Sequence, residues 1–213
     1  MFMFKRNDFL FIGLIIMVII LLVIPYTHTL FFDFTSEYAL FGGFIKFFLF
    51  ASLGDVISSR IRNQTYQVLG LFRKMVVWGF IGVVIVMVFE IFPAGVDRLN
   101  QSGMLSYFDN TFLRALYISV FMNLLFAPTM MLFHRITDAS IELHVKEKHY
   151  HFSKALGTIN FQAFIKMLLR TIPLFWIPAH TITFLLPGMY RAFFASVLGV
   201  MLGLFLNLFK KSQ

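Results

Sequence analysis

Sixteen consecutive residues without a polar side chain, Phe9 to Ile24, run up to Pro25, and five further apolar runs follow. These are Tyr38 to Ser59, Met75 to Phe92, Phe112 to Phe133, Phe161 to Leu186 and Ala192 to Phe209. Apolar stretches of about 17–25 residues are what α-helices need to cross a hydrocarbon core of about 30 Å. Strands of a membrane barrel would be half as long and would alternate polar with apolar, and nothing here alternates. The expected fold is therefore all-α, an integral membrane helical bundle of about six hydrophobic helices, within a range of four to six. The first run supplies only about 24 Å of helix, short of the core unless Pro25-Tyr26 and the Phe2 to Phe4 side extend it. Lys5-Arg6 before it resembles the basic start of a signal peptide, but no small-x-small cleavage site follows, and the helix is expected to be retained. Versions with four or five spans, the first run peripheral or the fifth re-entrant, stay open.

Composition closes off the soluble alternatives. Of 213 residues 59% are hydrophobic and only 13% charged, too few to cover the outside of a water-soluble domain of this size. The chain has no Cys, which excludes disulfides, iron–sulfur clusters and thiolate chemistry. A net charge of +8 would suit nucleic acid if the basic residues formed one patch, but they sit between the apolar runs. If all six runs span, Lys5, Arg6, Arg60, Arg62, Arg73, Lys74, Arg135, Lys146, Lys148, Lys154, Lys210 and Lys211 fall on one side, and only Arg98 and Arg191 on the other. That bias is the positive-inside pattern, and it puts both termini in the cytoplasm with no nucleic acid as partner. The opposite-side loops carry Asp33, Glu37, Asp97 and Asp109. No repeat or linker divides the chain, so 1–213 reads as a single transmembrane domain. Its longest polar stretch, Arg135 to Lys154 within 135–160, is expected to be a cytoplasmic loop.

Six ionisable residues lie inside apolar runs: Lys46, Arg114, Lys166, Arg170, Asp55 and Glu90. Such groups are costly at membrane depth unless they face water, pair, or snorkel to the headgroups. Matched depth suggests Asp55 with Arg170, or with Arg62 on its own helix, and Glu90 with Arg114 or Lys46. Ser52, Asp55, Ser59 and Arg62 are spaced three, four and three, which places them on one helix face. In the fifth run Lys166, Arg170, Pro173, Trp176, His180, Thr183 and Pro187 recur at helical spacing and would form one seam if the helix were continuous. Pro173 and Pro178 each remove a backbone hydrogen bond and favour a kink. A kinked, polar-seamed helix reads either as the lining of a pore or as a structural bend packed in the bundle. Gly199 and Gly203 give a small-xxx-small pattern in the last run, which permits close helix approach.

No enzyme signature is found. His134 and Asp138 are separated by three residues and fit no acyltransferase pair, and His144, His149 and His151 match no metal template, so neither a metal nor a cofactor is expected.

Four elements in order carry a family resemblance. They are Gly54-Asp55-Val56-Ile57-Ser58, Lys74 with Gly79, Met122-Asn123-Leu124-Leu125-Phe126-Ala127-Pro128, and Trp176 and Pro178 followed by Pro187-Gly188-Met189-Tyr190-Arg191. Together they resemble the 22-kilodalton peroxisomal membrane protein family, which has channel relatives in the mitochondrial inner membrane. The resemblance runs from about residue 50 to residue 207. The family's Asp-Gln is replaced here by Met122-Asn123, which removes an intramembrane carboxylate. The resemblance implies a membrane protein of the channel type, with Asp55, Asn123, Pro128, Trp176, Pro178, Tyr190 and Arg191 at family positions.

Two functions stand against each other on this reading. One is a small channel or pore for small metabolites or ions. The other is a non-conducting structural or assembly factor whose prolines and buried charges shape the bundle. The lipid bilayer is the expected partner in both, and a homo-oligomer is an allowed assembly. The lack of an Arg- and Ser-rich amphipathic leader points to a bacterial cytoplasmic membrane.

Overall fold

The computed structural model of the chain describes residues 6–210, without the side chains at 6, 7, 10, 11, 14, 17, 18, 21, 62, 200 and 202–210. Among the described residues every regular element is a helix. The first, α1 (Arg6–Val23), ends where it must. Ile24 precedes a proline, is pushed to an extended conformation (φ −61°, ψ 123°), and Pro25 then opens α2 (Pro25–Glu37) from the first helical turn. The stretch carrying Asp33 and Glu37, expected as loop, is thus helical, with Phe32 and Thr35 facing inward.

The second apolar run folds as α3 (Ala39–Lys46), a π-type turn over Phe47–Ala51, and α4 (Ser52–Asn63). Next comes α5 (Leu71–Gln101), whose 31 residues are about 46 Å long, enough to cross a bilayer and its headgroups. One face of α5 buries Ile81, Ile85, Phe89, Pro93 and Val96 at spacings of three to four. The other presents Phe72, Phe80 and Ile91, each more than 60% exposed. A continuous apolar outer face of this kind suits lipid and not water.

Pro128 breaks the fourth run. Lacking an N–H and crowding the carbonyl four residues back, it separates α6 (Thr111–Leu125) from α7 (Ala127–Lys146) by a bend of 46°. Helix α7 continues to Lys146, so most of the polar stretch expected as a loop is helical instead. The reason is local: Ile136, Ala139 and Leu143 recur at three and four, and Ala139 and Leu143 are buried. After α8 (Phe152–Gly157), the fifth run forms α9 (Phe161–Thr171), a second π-type turn over Ile172–Trp176, and α10 (Ile177–Leu185). The last helix is α11 (Gly188–Lys210).

Among the described residues three spans, Ala39–Ile61, Leu71–Gln101 and Phe161–Leu185, are long and apolar enough to cross a membrane, and the bent α6–α7 pair makes a fourth if it counts as one. That is fewer than the expected six. The first and last runs do form helices, of 18 and 23 residues, many of whose side chains lie outside the described set. The core lies where α5, α6 and α10 meet, around Ile85, Phe89, Ile118, Met122 and Phe184.

Among the described residues the close helix contact is not at Gly199. A Cβ on Gly199 would meet nothing within 4 Å, and Gly203 falls among the side-chain positions outside the described set. Instead α3 and α5 touch through Gly43 and Gly82, where a Cβ on Gly82 would stand 2.3 Å from the Gly43 carbonyl oxygen.

Candidate functional site

The proline-broken fifth run does not keep its polar residues on one face. Lys166, Arg170 and Pro173 are exposed, Trp176 and His180 are half-buried, and Thr183 is fully buried. Each i→i+5 bond of a π-type turn admits one extra residue, which rotates the downstream helix by about 100°. The expected single seam is therefore split at Ile172–Trp176, with its C-terminal half turned into the bundle. Pro173 sits in the π turn and Pro178 in the first turn of α10, where its missing N–H is tolerated.

That inward half meets α6. The His180 Nδ1 lies 3.2 Å from the Asn123 Oδ1, and the Asn123 amide donates to the Ser119 carbonyl at 2.8 Å and reaches the Ser119 hydroxyl at 3.2 Å. Ser119 in turn donates to the Ile177 carbonyl at 2.8 Å, the first turn after the break, and Thr181 donates to the same carbonyl. Asn123 and Ser119 have no exposed surface. Buried polar groups are retained only when bonded, so this cluster fastens α6 to α10 at the kink. One group is left over: the buried Trp176 Nε1 has no acceptor, although its ring stacks on His180 at 5.4 Å between centroids. Thr183, also expected to line a path, donates to the Ala179 carbonyl of its own helix at 2.9 Å and needs no water.

A second polar cluster joins α4, α5 and α7. Ser52 and Ser59 are buried and Asp55 is half-buried, so the spacing-derived face of α4 does point into the protein. Asp55, however, is not paired with Arg170. Its Oδ2 accepts from the Trp78 indole at 3.0 Å, and Arg170 is exposed on α9 with no ion pair among the described residues. The Arg62 side chain, the second suggested partner, lies outside the described residues. The Trp78 ring lies tilted against His134 with 4.2 Å between centroids, and Lys74 bonds Glu142 at 2.7 Å and lies 3.6 Å from Asp138. Sequence reasoning missed this grouping. The signal was present, because Lys74 and Trp78 are four apart, as are His134, Asp138 and Glu142 in sequence, on two helices whose contact was not foreseeable. Two members keep unmet hydrogen-bonding capacity, since the Ser52 hydroxyl and the His134 Nε2 are buried without a hydrogen bond among the described residues, the Nε2 lying 3.8 Å from the Asp138 carboxylate. No group of three His, Cys, Asp or Glu among the described residues is placed to hold a metal ion.

Charged pairs near the helix ends complete the set. Arg114 bonds Asp97 through two contacts of 2.6 Å, with Tyr107 alongside, so its partner is not Glu90. Asp97 is seven residues, about two α-helical turns, further along α5 than Glu90. Asp8 and Arg60 form a buried bidentate pair, also with two contacts of 2.6 Å, and Tyr66 donates to the same carboxylate. Tyr190 lies 3.4 Å from His28, and Arg191 donates to the Leu186 and Phe184 carbonyls at 2.9 and 3.4 Å.

The residues assigned from sequence thus separate into the kink cluster (Asn123, Trp176, Pro178, His180, Thr183), the α4 face (Ser52, Asp55, Ser59), the α6–α7 bend (Pro128), the α11 entrance (Tyr190, Arg191) and an outward pair (Arg170, Pro173). Set beside known proteins, the chain matches no family model, no curated protein and no solved structure.

Proposed function

We propose that this chain is a small integral membrane protein of the channel type, non-catalytic, which passes small metabolites or ions across a bacterial cytoplasmic membrane. In this reading it has six spans, including α1 and α11, with both termini cytoplasmic, and it is a divergent relative of the 22-kilodalton peroxisomal membrane proteins. The basic-residue bias supports the orientation, and the ordered motifs support the kinship. The observation that carries the reading is the Trp176 indole N–H, buried without an acceptor beside the Asn123–His180 pair, in a helix broken by Pro173 and Pro178. An unfilled donor at membrane depth costs several kcal/mol unless water or a passing polar solute meets it.

A second reading is favoured by a specific observation. Ser119, Asn123, Thr181 and Thr183 all satisfy one another or their own helices, as a purely structural brace would. The chain has no native Cys, so single cysteines report without background. Under the channel reading, cysteines replacing Trp176 and His180 are labelled by a water-soluble thiol reagent. Cysteines at the outward-facing Leu174 and Ile182 stay protected in lipid. Protection at all four positions would favour the brace.

A further inference from the structure

Lys46 is an isolated buried charge among the described residues. It closes α3 with 2% of its surface exposed, and among the described residues its ammonium has neither a carboxylate nor any hydrogen-bond acceptor. Its neighbours are the faces of Phe31 and Phe32, at 5.8 and 5.5 Å. Cation–π contact offsets part of the cost of burial, but it satisfies none of the three N–H donors. Lys46 lines a pocket of about 190 Å³ between α2, α3, α5 and α11. Across it stands Arg191, whose Nε and Nη2 donate to backbone carbonyls and whose Nη1 has no acceptor among the described residues. Gly188 and Met189, the first residues of α11, also line the pocket and bring the positive end of a 23-residue helix to it. Glu90 is the one carboxylate on the wall, it is exposed, and it makes no ion pair with either cation among the described residues. Val86, Phe89 and Ala39 supply an apolar flank.

We infer that this pocket binds an anionic phosphate group, held by the Lys46 ammonium and the Arg191 guanidinium at the entrance of α11. Two cations and a helix N-terminus outweigh one exposed carboxylate. The donors left open, an ammonium and one guanidinium nitrogen, are those that charge-assisted bonds to a phosphate would fill. The volume holds about six waters at roughly 30 Å³ each, room for one phosphate with part of its hydration. A phosphate of this kind reaches the pocket either as a phospholipid headgroup or as a free anion. The site stands whether or not the chain conducts.

The test uses the purified full-length chain in a neutral detergent, with ionic strength held constant by chloride. Its thermal midpoint is followed against inorganic phosphate in one arm and short-chain phosphatidylglycerol in the other. The wild type should be stabilised saturably in at least one arm. Lys46→Met and Arg191→Gln should each raise the half-saturating concentration by about tenfold or more. Glu90→Gln, at an exposed position that folding tolerates, should lower it, which keeps the test readable if Lys46→Met does not fold. Stabilisation by phosphatidylglycerol alone assigns the site to a lipid headgroup, and stabilisation by inorganic phosphate assigns it to a free anion. No stabilisation of the wild type in either arm would overturn the site. So would one half-saturating concentration shared by the wild type, Glu90→Gln and whichever cation variants fold.

Discussion

Leucine at Gly82 is expected to destroy most of the folded protein. The Cβ alone would stand 2.3 Å from the Gly43 carbonyl oxygen and 2.7 Å from the Phe47 Cβ, so α3 and α5 would have to separate. Backbone cannot yield as a flexible side chain can. Overpacking of this kind costs at least about 3 kcal/mol, and it would also disturb the π turn that follows Lys46. Thermal unfolding of the detergent-purified variant, beside Gly199→Leu as control, checks the claim. Gly199 has open space around its Cβ position, so the control should stay near the wild type. Equal loss at both glycines would mean that the α3–α5 contact does not organise the bundle.

Asparagine at Asp8 should release α1 from α4. The Asp8 and Arg60 side chains are only 4% and 5% exposed, and removing one member of a buried pair leaves the other charge without compensation. The Tyr66 hydroxyl, which donates to the same carboxylate, would then face a neutral amide in its place. Because apolar replacement of both members is far milder than loss of one, the double variant Asp8→Leu with Arg60→Leu should unfold at a higher temperature than Asp8→Asn or Arg60→Leu alone. Strictly additive losses would remove the pair from the account.

How far the sequence could lead depended on whether a feature was written along one helix or between two. The apolar runs, the stop before Pro25 and the break around Pro173 follow from single-helix chemistry, and the structure carries each of them, whereas the bend at Pro128 inside the fourth run was not foreseen. The inward face of Ser52, Asp55 and Ser59 also follows, because spacing along one helix fixes it. The partners did not. Matched depth proposed Arg170 for Asp55, but depth selects a layer and not a neighbour, and α5 brings Trp78 to that carboxylate. The seam of the fifth run failed for a different reason. A π-type turn changes the helical period locally, and nothing in a 3.6-residue pattern announces it. In the polar stretch from Arg135 charge masks the three-and-four apolar spacing that makes it helical to Lys146.

Those failures concentrate the functional question on the kink, where Trp176, His180 and Asn123 converge. Passage of solute past that cluster is the central claim. Flux through liposomes containing the purified full-length chain measures it directly. Release of entrapped small ions or metabolites should exceed that of protein-free vesicles, and Trp176→Phe and His180→Leu should each change the rate while leaving the thermal midpoint within a few degrees of the wild type. Vesicles holding folded protein that release neither ions nor small metabolites faster than empty ones would contradict it, and would leave the cluster as a brace between α6 and α10.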